Sequence, residues 1–262
     1  LAVVLSPDQL RSGAVAAALD DLRAEVGLPA TGGAHMAYRY LHLCLMAPRF
    51  FHDTEEQCAT AHFLRYQARA RPGDSISRQF MGLPDHPMVL VSLGTTAFSD
   101  NRRIWDALLE GLAGERLNLV LGMGAGPDPE SFGPLPPNVL IQRYVPQALL
   151  LPRCAAMITN GGFNSVRDAL SLGVPLVLIP LAACQPTTAA RCAALGLGRV
   201  VRPFEATPAT IAEAVRAVLD EPVYSSNARA FADELAALPG REEMVGLLEM
   251  LAREAKPLVR RS

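Results

Sequence analysis

From residue 88 onward, short apolar runs alternate with helix-patterned segments, and few folds accommodate that order. The strand-like runs are 88–93, 117–121, 138–141, 155–159, 176–179 and 199–201. After the first of them, Ile104, Trp105, Leu108, Leu109 and Leu112 recur at helical spacing behind Ser99 or Asp100 as a cap. Strands that are apolar nearly throughout must be covered on both faces, which predicts a parallel sheet with helices on either side. Such a doubly wound α/β sheet takes ligands at the carboxyl ends of its strands. Thr207-Pro208 reads as a hydroxyl cap with proline in the first turn, and Ile211, Val215, Val218 and Leu219 as that helix's buried stripe. Two more helices follow, marked by Phe231, Leu235 and Leu238 and then by Met244, Leu247, Leu248 and Leu251.

The first 87 residues are patterned differently. Val15, Leu19, Leu22 and Val26 predict one amphipathic helix closed by Gly27, and residues 41–46 one strand. Gly32-Gly33 and Arg71-Pro72-Gly73-Asp74 read as loop and linker. So few elements cannot bury a sheet, and the segment reads as the end of a preceding lobe. The expected divisions are 1–84 (lobe remnant and linker), 85–240 (the doubly wound domain) and 241–262 (C-terminal helix and tail). The chain opens without Met, so residue 1 reads as a cut point with an N-terminal lobe missing upstream. Two complete Rossmann-like lobes take roughly 300–400 residues, and the chain has 262. The helix at 241–262 would then show an unpaired apolar face.

Composition removes several function classes. A net charge of −2 argues against non-specific binding of a nucleic-acid backbone, which is held mainly by clustered Lys and Arg. No run approaches the ~18–20 apolar residues that cross a bilayer; the longest, 174–183, is broken by Pro175 and Pro180. Five cysteines in no CxxC spacing suggest neither a metal cluster nor a disulfide framework, so a reducing, cytoplasmic setting is expected.

The chemistry is concentrated in Thr159-Asn160-Gly161-Gly162-Phe163-Asn164-Ser165-Val166-Arg167-Asp168, between an apolar strand and a helix. Two glycines at a strand-to-helix turn let backbone N–H groups approach a ligand, and the helix N-terminus adds partial positive charge. Asn164 and Ser165 supply side-chain donors to phosphate oxygens, and Asp168, about one turn on, is an acceptor pair suited to ribose hydroxyls. By itself a Gly-Gly turn of this kind is more often a plain capped helix start, with Asn164 or Ser165 as the cap.

The wider pattern changes that balance. Tyr144-Val145-Pro146-Gln147, Asn160 to Ser165 with Asp168, Gly173-Val174-Pro175, Pro180 and Gln185 together resemble the donor-site signature of GT-B glycosyltransferases. The similarity is to the UDP-glycosyltransferase and macrolide (antibiotic) glycosyltransferase superfamily. Val91-Ser92-Leu93-Gly94-Thr95 is similar to its first C-lobe strand and phosphate-side loop. The resemblance implies a Rossmann-like GT-B C-terminal lobe with part of the N-terminal lobe. It places Tyr144 against the base, Val145 and Gln147 at base and ribose, and Asn160, Gly161, Gly162, Asn164 and Ser165 at the diphosphate. Asp168 falls at the ribose, Gln185 at the sugar hydroxyls, and Gly94 and Thr95 on the opposite wall of the phosphate site. It further implies a UDP- or dTDP-sugar as donor substrate, a small natural-product-like acceptor, no metal and no separate cofactor.

Three positions depart from that pattern. Asn160 stands where most members carry His, Cys184 where an acidic residue binds the sugar, and Thr188 where Asn is frequent. They keep open a reading as a non-catalytic nucleotide-sugar-binding module. The catalytic base, usually a His early in the N-terminal lobe, is not assignable. For His35, His42, His52, His62 and His86, surface or packing roles are the commoner ones. Gly122-Met123-Gly124-Ala125-Gly126 offers a methyltransferase reading, but Pro127 and Pro129 interrupt any following helix. A GT-B-fold epimerase shares the architecture under a different signature. Arg167 reads as an exposed charge, and Cys184 as a small half-buried filler.

Overall fold

The computed structural model describes residues 13–31, 38–51, 59–94 and 101–260. Thr95, Ser99, Asp100, His35, His52 and Gly32-Gly33, all weighed above, lie outside the described residues. By contacts the chain divides into two compact units, Leu1–Tyr66 with Leu235–Ser262, and Gln67–Glu234. The linker-like stretch at 67–84 therefore goes with the sheet, and the C-terminal helix with the N-terminal segment.

In the first unit, α1 spans Gly13–Glu25, and β1 (His42–Cys44) pairs in parallel with β2 (Ala61–Phe63). The two faces of this pair follow the period of two that a pleated strand imposes. Cys44, Ala61 and Phe63 pack with Phe51 and Leu238. Leu41, Leu43, Leu45 and Leu64 pack with Met244, Leu247, Leu251 and Leu258. The helix at the C-terminus, Arg241–Glu254, has its Met244–Leu247–Leu251 stripe covered, while Val245, Leu248 and Met250 stay 42%, 47% and 37% exposed, so the expected unpaired apolar face is present only in part. α1 forms where predicted, but Leu22 and Val26 are 58% and 70% exposed, so its apolar stripe is not a core face among the described residues.

The second unit holds the sheet. After β3 (Met88–Ser92) come α2 (Arg102–Leu112), β4 (Asn118–Gly122) and β5 (Val139–Gln142). The short α3 (Gln147–Leu150) leads to β6 (Cys154–Thr159), α4 (Phe163–Ser171) and β7 (Leu176–Leu178). α5 (Gln185–Ala194), β8 (Gly198–Val200), α6 (Pro208–Asp220) and α7 (Pro222–Ala237) follow, and the last helix is α8. The strands lie in the order β5-β4-β3-β6-β7-β8, with every pair parallel. That is the doubly wound order in which the chain runs outward from β3 to one edge, then returns to begin again at β6.

Both faces are buried, as near-continuous apolar strands require. Val89, Val91, Leu93, Leu119, Leu121, Ile158, Val177 and Ile179 join one core with Ile104, Trp105, Leu108 and Leu112 of α2 and Ile211, Val215 and Val218 of α6. Leu90, Val120, Met157, Leu176 and Leu178 point the other way and are 0% exposed. Trp105, fully buried, is the largest side chain in the core; truncation to Ala would cost about 3–5 kcal/mol. α2 begins after Asn101, which makes no side-chain capping bond. α6 begins as predicted: Thr207 Oγ1 accepts from the Thr210 N–H at 3.2 Å, and Thr210 Oγ1 accepts from the Thr207 N–H at 3.0 Å.

Candidate functional site

The chain leaves the sheet in opposite directions from β3 and β6, so a crevice opens beyond their carboxyl ends. Ser92 and Thr159 are register partners there. Two residues on, Gly94 has φ +94°, and a Cβ built on it would fall 2.7 Å from Asn160 Nδ2. Asn160 is 4% exposed, and its Oδ1 accepts the Gly162 N–H at 3.0 Å. The Gly161 N–H donates to Thr159 Oγ1 at 3.4 Å, with Gly161 at φ +79°. The turn is thereby closed by its own side chains.

α4 starts immediately after this turn. Gly162 is its N-cap with no side-chain capping bond, and the first intrahelical donor is Val166, to Gly162 O at 3.1 Å. Asn164 and Ser165 therefore stand inside the first turn and do not cap it. Their backbone N–H groups belong to the set that has no acceptor within a helix. Asn164 is exposed and Ser165 half-buried. Asp168 follows on the next turn with its side chain 22% exposed, 3.9 Å from the Arg167 guanidinium. Arg167 was expected to be exposed; its side chain is only 14% exposed and lies 5.9 Å from the Phe163 ring centroid. The aliphatic stem and planar head of an arginine pack readily against an aromatic ring, which sequence spacing does not reveal.

The rim beyond β5 carries Tyr144, Val145 and Gln147. Tyr144 is 50% exposed, and its O–H donates to Asp74 Oδ1 at 2.9 Å. Val145 is 6% exposed and packs against Gly122 at the end of β4, so its side chain is a packing group and only its backbone is available to a ligand. Gln147 Nε2 donates to Ser92 Oγ at 3.0 Å, linking the β5 rim to the end of β3. Sequence reasoning missed Asp74 as a site-proximal group and took Ser92 only as part of the 91–95 run.

On the other side of the crevice, Gln185 is 7% exposed, and its Oε1 accepts from the N–H groups of Leu181 at 2.7 Å and Ala182 at 2.8 Å. Its carbonyl oxygen is thus committed to the loop before α5, leaving the amide NH2. Within that loop Ala183 sits in the left-handed region at φ 56°, a conformation that costs a non-glycine residue ~1 kcal/mol or more. Cys184, half-buried, is the N-cap residue of α5, and its carbonyl accepts from Thr188 Oγ1 at 3.1 Å.

The glycine-rich run at 122–126 is not a phosphate loop. Arg143 Nη1 donates to the carbonyls of Gly124, Gly126 and Pro127 at 3.3, 2.8 and 3.3 Å, so the loop turns oxygens inward. Only a 3-10 turn, Pro129–Phe132, follows it. The described histidines meet backbone carbonyls or neighbouring side chains. A ring nitrogen of His62 meets Leu258 O at 3.0 Å, and His86 Nδ1 meets Asp85 O at 2.7 Å. His42 lies beside Tyr38 and Cys44, and burial lowers its pKa. Among the described residues no group of three His, Cys, Asp or Glu side chains could hold a metal ion, and no helix is long and apolar enough to cross a membrane.

A six-stranded parallel sheet of this order, with a glycine turn into a helix N-terminus at the switch point, has the architecture of the C-terminal lobe of GT-B glycosyltransferases. The family model described as erythromycin biosynthesis protein CIII-like, C-terminal domain, matches residues 109–251, more than half of the chain, and the chain belongs to that family. It is 34% identical over 238 residues to 4'-demethylrebeccamycin synthase of Lentzea aerocolonigenes, covering 88% of this chain and 56% of that protein. To the NDP-glycosyltransferase YjiC of Bacillus licheniformis it is 38% identical over 129 residues, 49% of this chain and 32% of that one. The chain thus spans little more than half the length of the first relative, and less of the second. Among solved structures, the calicheamicin glycosyltransferase CalG4 superposes with a TM-score of 0.74 at 28% identity, covering 93% of this chain and 62% of that chain. The spinosyn rhamnosyltransferase SpnG complexed with thymidine diphosphate shares the fold at a TM-score of 0.73 and 21% identity, covering 90% and 62%.

Proposed function

We propose that this chain supplies the donor half of a glycosyltransferase, which moves a sugar from a UDP- or dTDP-sugar to a hydroxyl of a small, natural-product-like acceptor. The observation that carries the reading is the closed turn at Asn160–Gly162, which delivers the first turn of α4 to the switch point. The backbone N–H groups of Asn164 and Ser165, with their side chains, are placed to receive diphosphate oxygens. Asp168 takes the ribose hydroxyls, and Tyr144 the face of the base. Val145, through its backbone, and Gln147 complete the base and ribose contacts. Gly94 forms the facing wall, and the amide NH2 of Gln185 meets the sugar.

In the reaction the acceptor oxygen forms a bond to the anomeric carbon as the bond from that carbon to the diphosphate oxygen breaks. The diphosphate leaves with the electron pair, and the acceptor proton passes to a base. The contribution of this chain is to stabilise the charge that develops on the leaving diphosphate, with donors already in place. Nucleotide sugar is the substrate, and neither a metal nor a separate cofactor is invoked. A reducing cytoplasmic setting belongs to the same proposal.

Calorimetric titration with UDP and dTDP, in metal-free buffer, tests this on the chain and its Ser165→Ala and Asp168→Ala variants. Dissociation constants in the micromolar to low-millimolar range, weakened about 5- to 10-fold by each substitution, are expected. A well-folded sample that binds neither nucleotide would sink the proposal. The commitment of Gln185 Oε1 to backbone, beside a thiol at Cys184, favours a second reading as a binding module without transfer. Under that reading UDP-sugar binds no better than UDP.

A further inference from the structure

Tyr144 is half exposed, yet one turn of the chain holds its ring from two directions. Its O–H lies 2.9 Å from one oxygen of the Asp74 carboxylate and 3.1 Å from the other. The guanidinium of Arg71, at the opposite end of the same turn, lies 5.5 Å from the ring centroid. The turn is closed on itself: the Asp74 N–H donates to Arg71 O at 3.0 Å, and the Arg71 N–H to Asp74 Oδ2 at 2.8 Å. A second tie fixes the segment to the sheet, because Gln142 Nε2, at the end of β5, donates to Gln79 Oε1 at 2.9 Å. Arg71 and Tyr144 are exposed and Asp74 is half-buried, so packing of the core does not demand this arrangement.

An exposed tyrosine ordinarily samples several rotamers, and ordering it on binding costs affinity. A hydrogen bond to an ionised acceptor is among the stronger kinds and is directional. Desolvation and the Asp74 carboxylate hold the Tyr144 hydroxyl above the usual tyrosine range, so it stays protonated and remains the donor. We propose that Asp74 is a positioning residue for the nucleobase pocket, holding the Tyr144 ring in one orientation before the nucleotide arrives. The inference rests on the reading of Tyr144 as the aromatic that faces the base. It also gives the stretch at 67–84, which looks like a plain linker in the sequence, a part in ligand recognition.

The test is calorimetry of the chain with UDP, dTDP and inorganic pyrophosphate. The variants are Asp74→Ala, Asp74→Asn, Tyr144→Phe, Tyr144→Ala and the combined Asp74→Ala/Tyr144→Phe. Asp74→Ala and Tyr144→Phe should each weaken UDP and dTDP about 3- to 10-fold, with the combined variant no weaker than either. Asp74→Asn should fall between wild type and Asp74→Ala, because an amide oxygen still accepts the bond. Pyrophosphate affinity should not change in any of them. The proposal is overturned if Asp74→Ala binds UDP and dTDP like wild type while Tyr144→Ala binds them weakly. Equal weakening of pyrophosphate by Asp74→Ala would also overturn it, since the effect would then be on the fold. If Tyr144→Ala has no effect while Ser165→Ala does, the placement of Tyr144 at the base fails together with it.

Discussion

The side-chain amide of Asn160 occupies the space that a Cβ at position 94 would need, 2.7 Å from where that atom would sit. The two strands that part at the switch point are therefore locked edge to edge by an amide on one and a missing side chain on the other. Gly94→Ala must both strain a backbone at φ +94° and displace Asn160, which closes the Gly162 turn. The expected loss is about 1–3 kcal/mol of stability, read from urea unfolding, with UDP and dTDP affinity falling in parallel. An unchanged midpoint and unchanged affinity would show that the two residues are not coupled.

Asn160→Asp is nearly isosteric and keeps the Oδ1 that accepts the Gly162 N–H. It replaces the amide NH2 with an oxygen that becomes anionic beside the expected diphosphate. Nucleotide affinity should fall at least about tenfold near neutral pH. Burial and the neighbouring phosphates both raise the carboxyl's pKa, so affinity should recover as the pH falls and that group is protonated. The wild-type amide has no such titration, and titrations at a series of pH values separate the two cases.

Gly111 sits in α2 where a Cβ would run into the Pro208 carbonyl oxygen of α6. In an isolated helix, Gly→Ala is worth about 1 kcal/mol of added stability. Here the neighbour is backbone at a helix start and cannot swing aside, so overpacking should outweigh propensity. Gly111→Ala is expected to destabilise by about 1–3 kcal/mol in chemical denaturation. A stabilised variant would mean that the two helices can move apart at little cost.

Burial pushes the thiols of Cys154 and Cys192 from 9.0 up to about 12. Once unfolded, both thiols ionise near their ordinary value, so alkali favours the unfolded chain. Their contribution to stability is intact below pH 9.0 and is lost progressively towards about 12. Unfolding midpoints should fall across that window, and Cys154→Ser or Cys192→Ala should flatten the fall. At about pH 8 a thiol reagent should label Cys192, which is 0% exposed, only in denaturant. Rapid labelling of Cys192 in the native chain would contradict its burial.

The strands of the large sheet were legible because burial on both faces leaves an unmistakable apolar run, and the α6 cap because its hydroxyls lie three residues apart. Gly161, Gly162, Asn164 and Ser165 were legible as a turn and first helical turn for the same local reason. The contacts that escaped notice are those between distant parts of the chain. Asp74 meets Tyr144 across 70 residues, and His62 meets Leu258 across 196, with no periodic pattern to announce either. Arg167 was misjudged because helical spacing says which way a Cα–Cβ bond points, but not where a long flexible side chain folds back. The stripe on α8 looked unpaired because its covering leucines alternate along β1, about 200 residues earlier, in a segment too short to stand out.

Arg143 draws the carbonyls of Gly124, Gly126 and Pro127 around itself at the end of β4, while the turn after β6 leads into the N–H groups of α4. The rim of the sheet consequently has a compass direction. On the β6 side the first N–H groups of α4 have no acceptor within the helix, whereas on the β4 side the carbonyls are already taken up by the guanidinium. The orientation proposed for the donor, with its diphosphate at α4, follows this division of the backbone's own polar groups and does not depend on which base or sugar is carried.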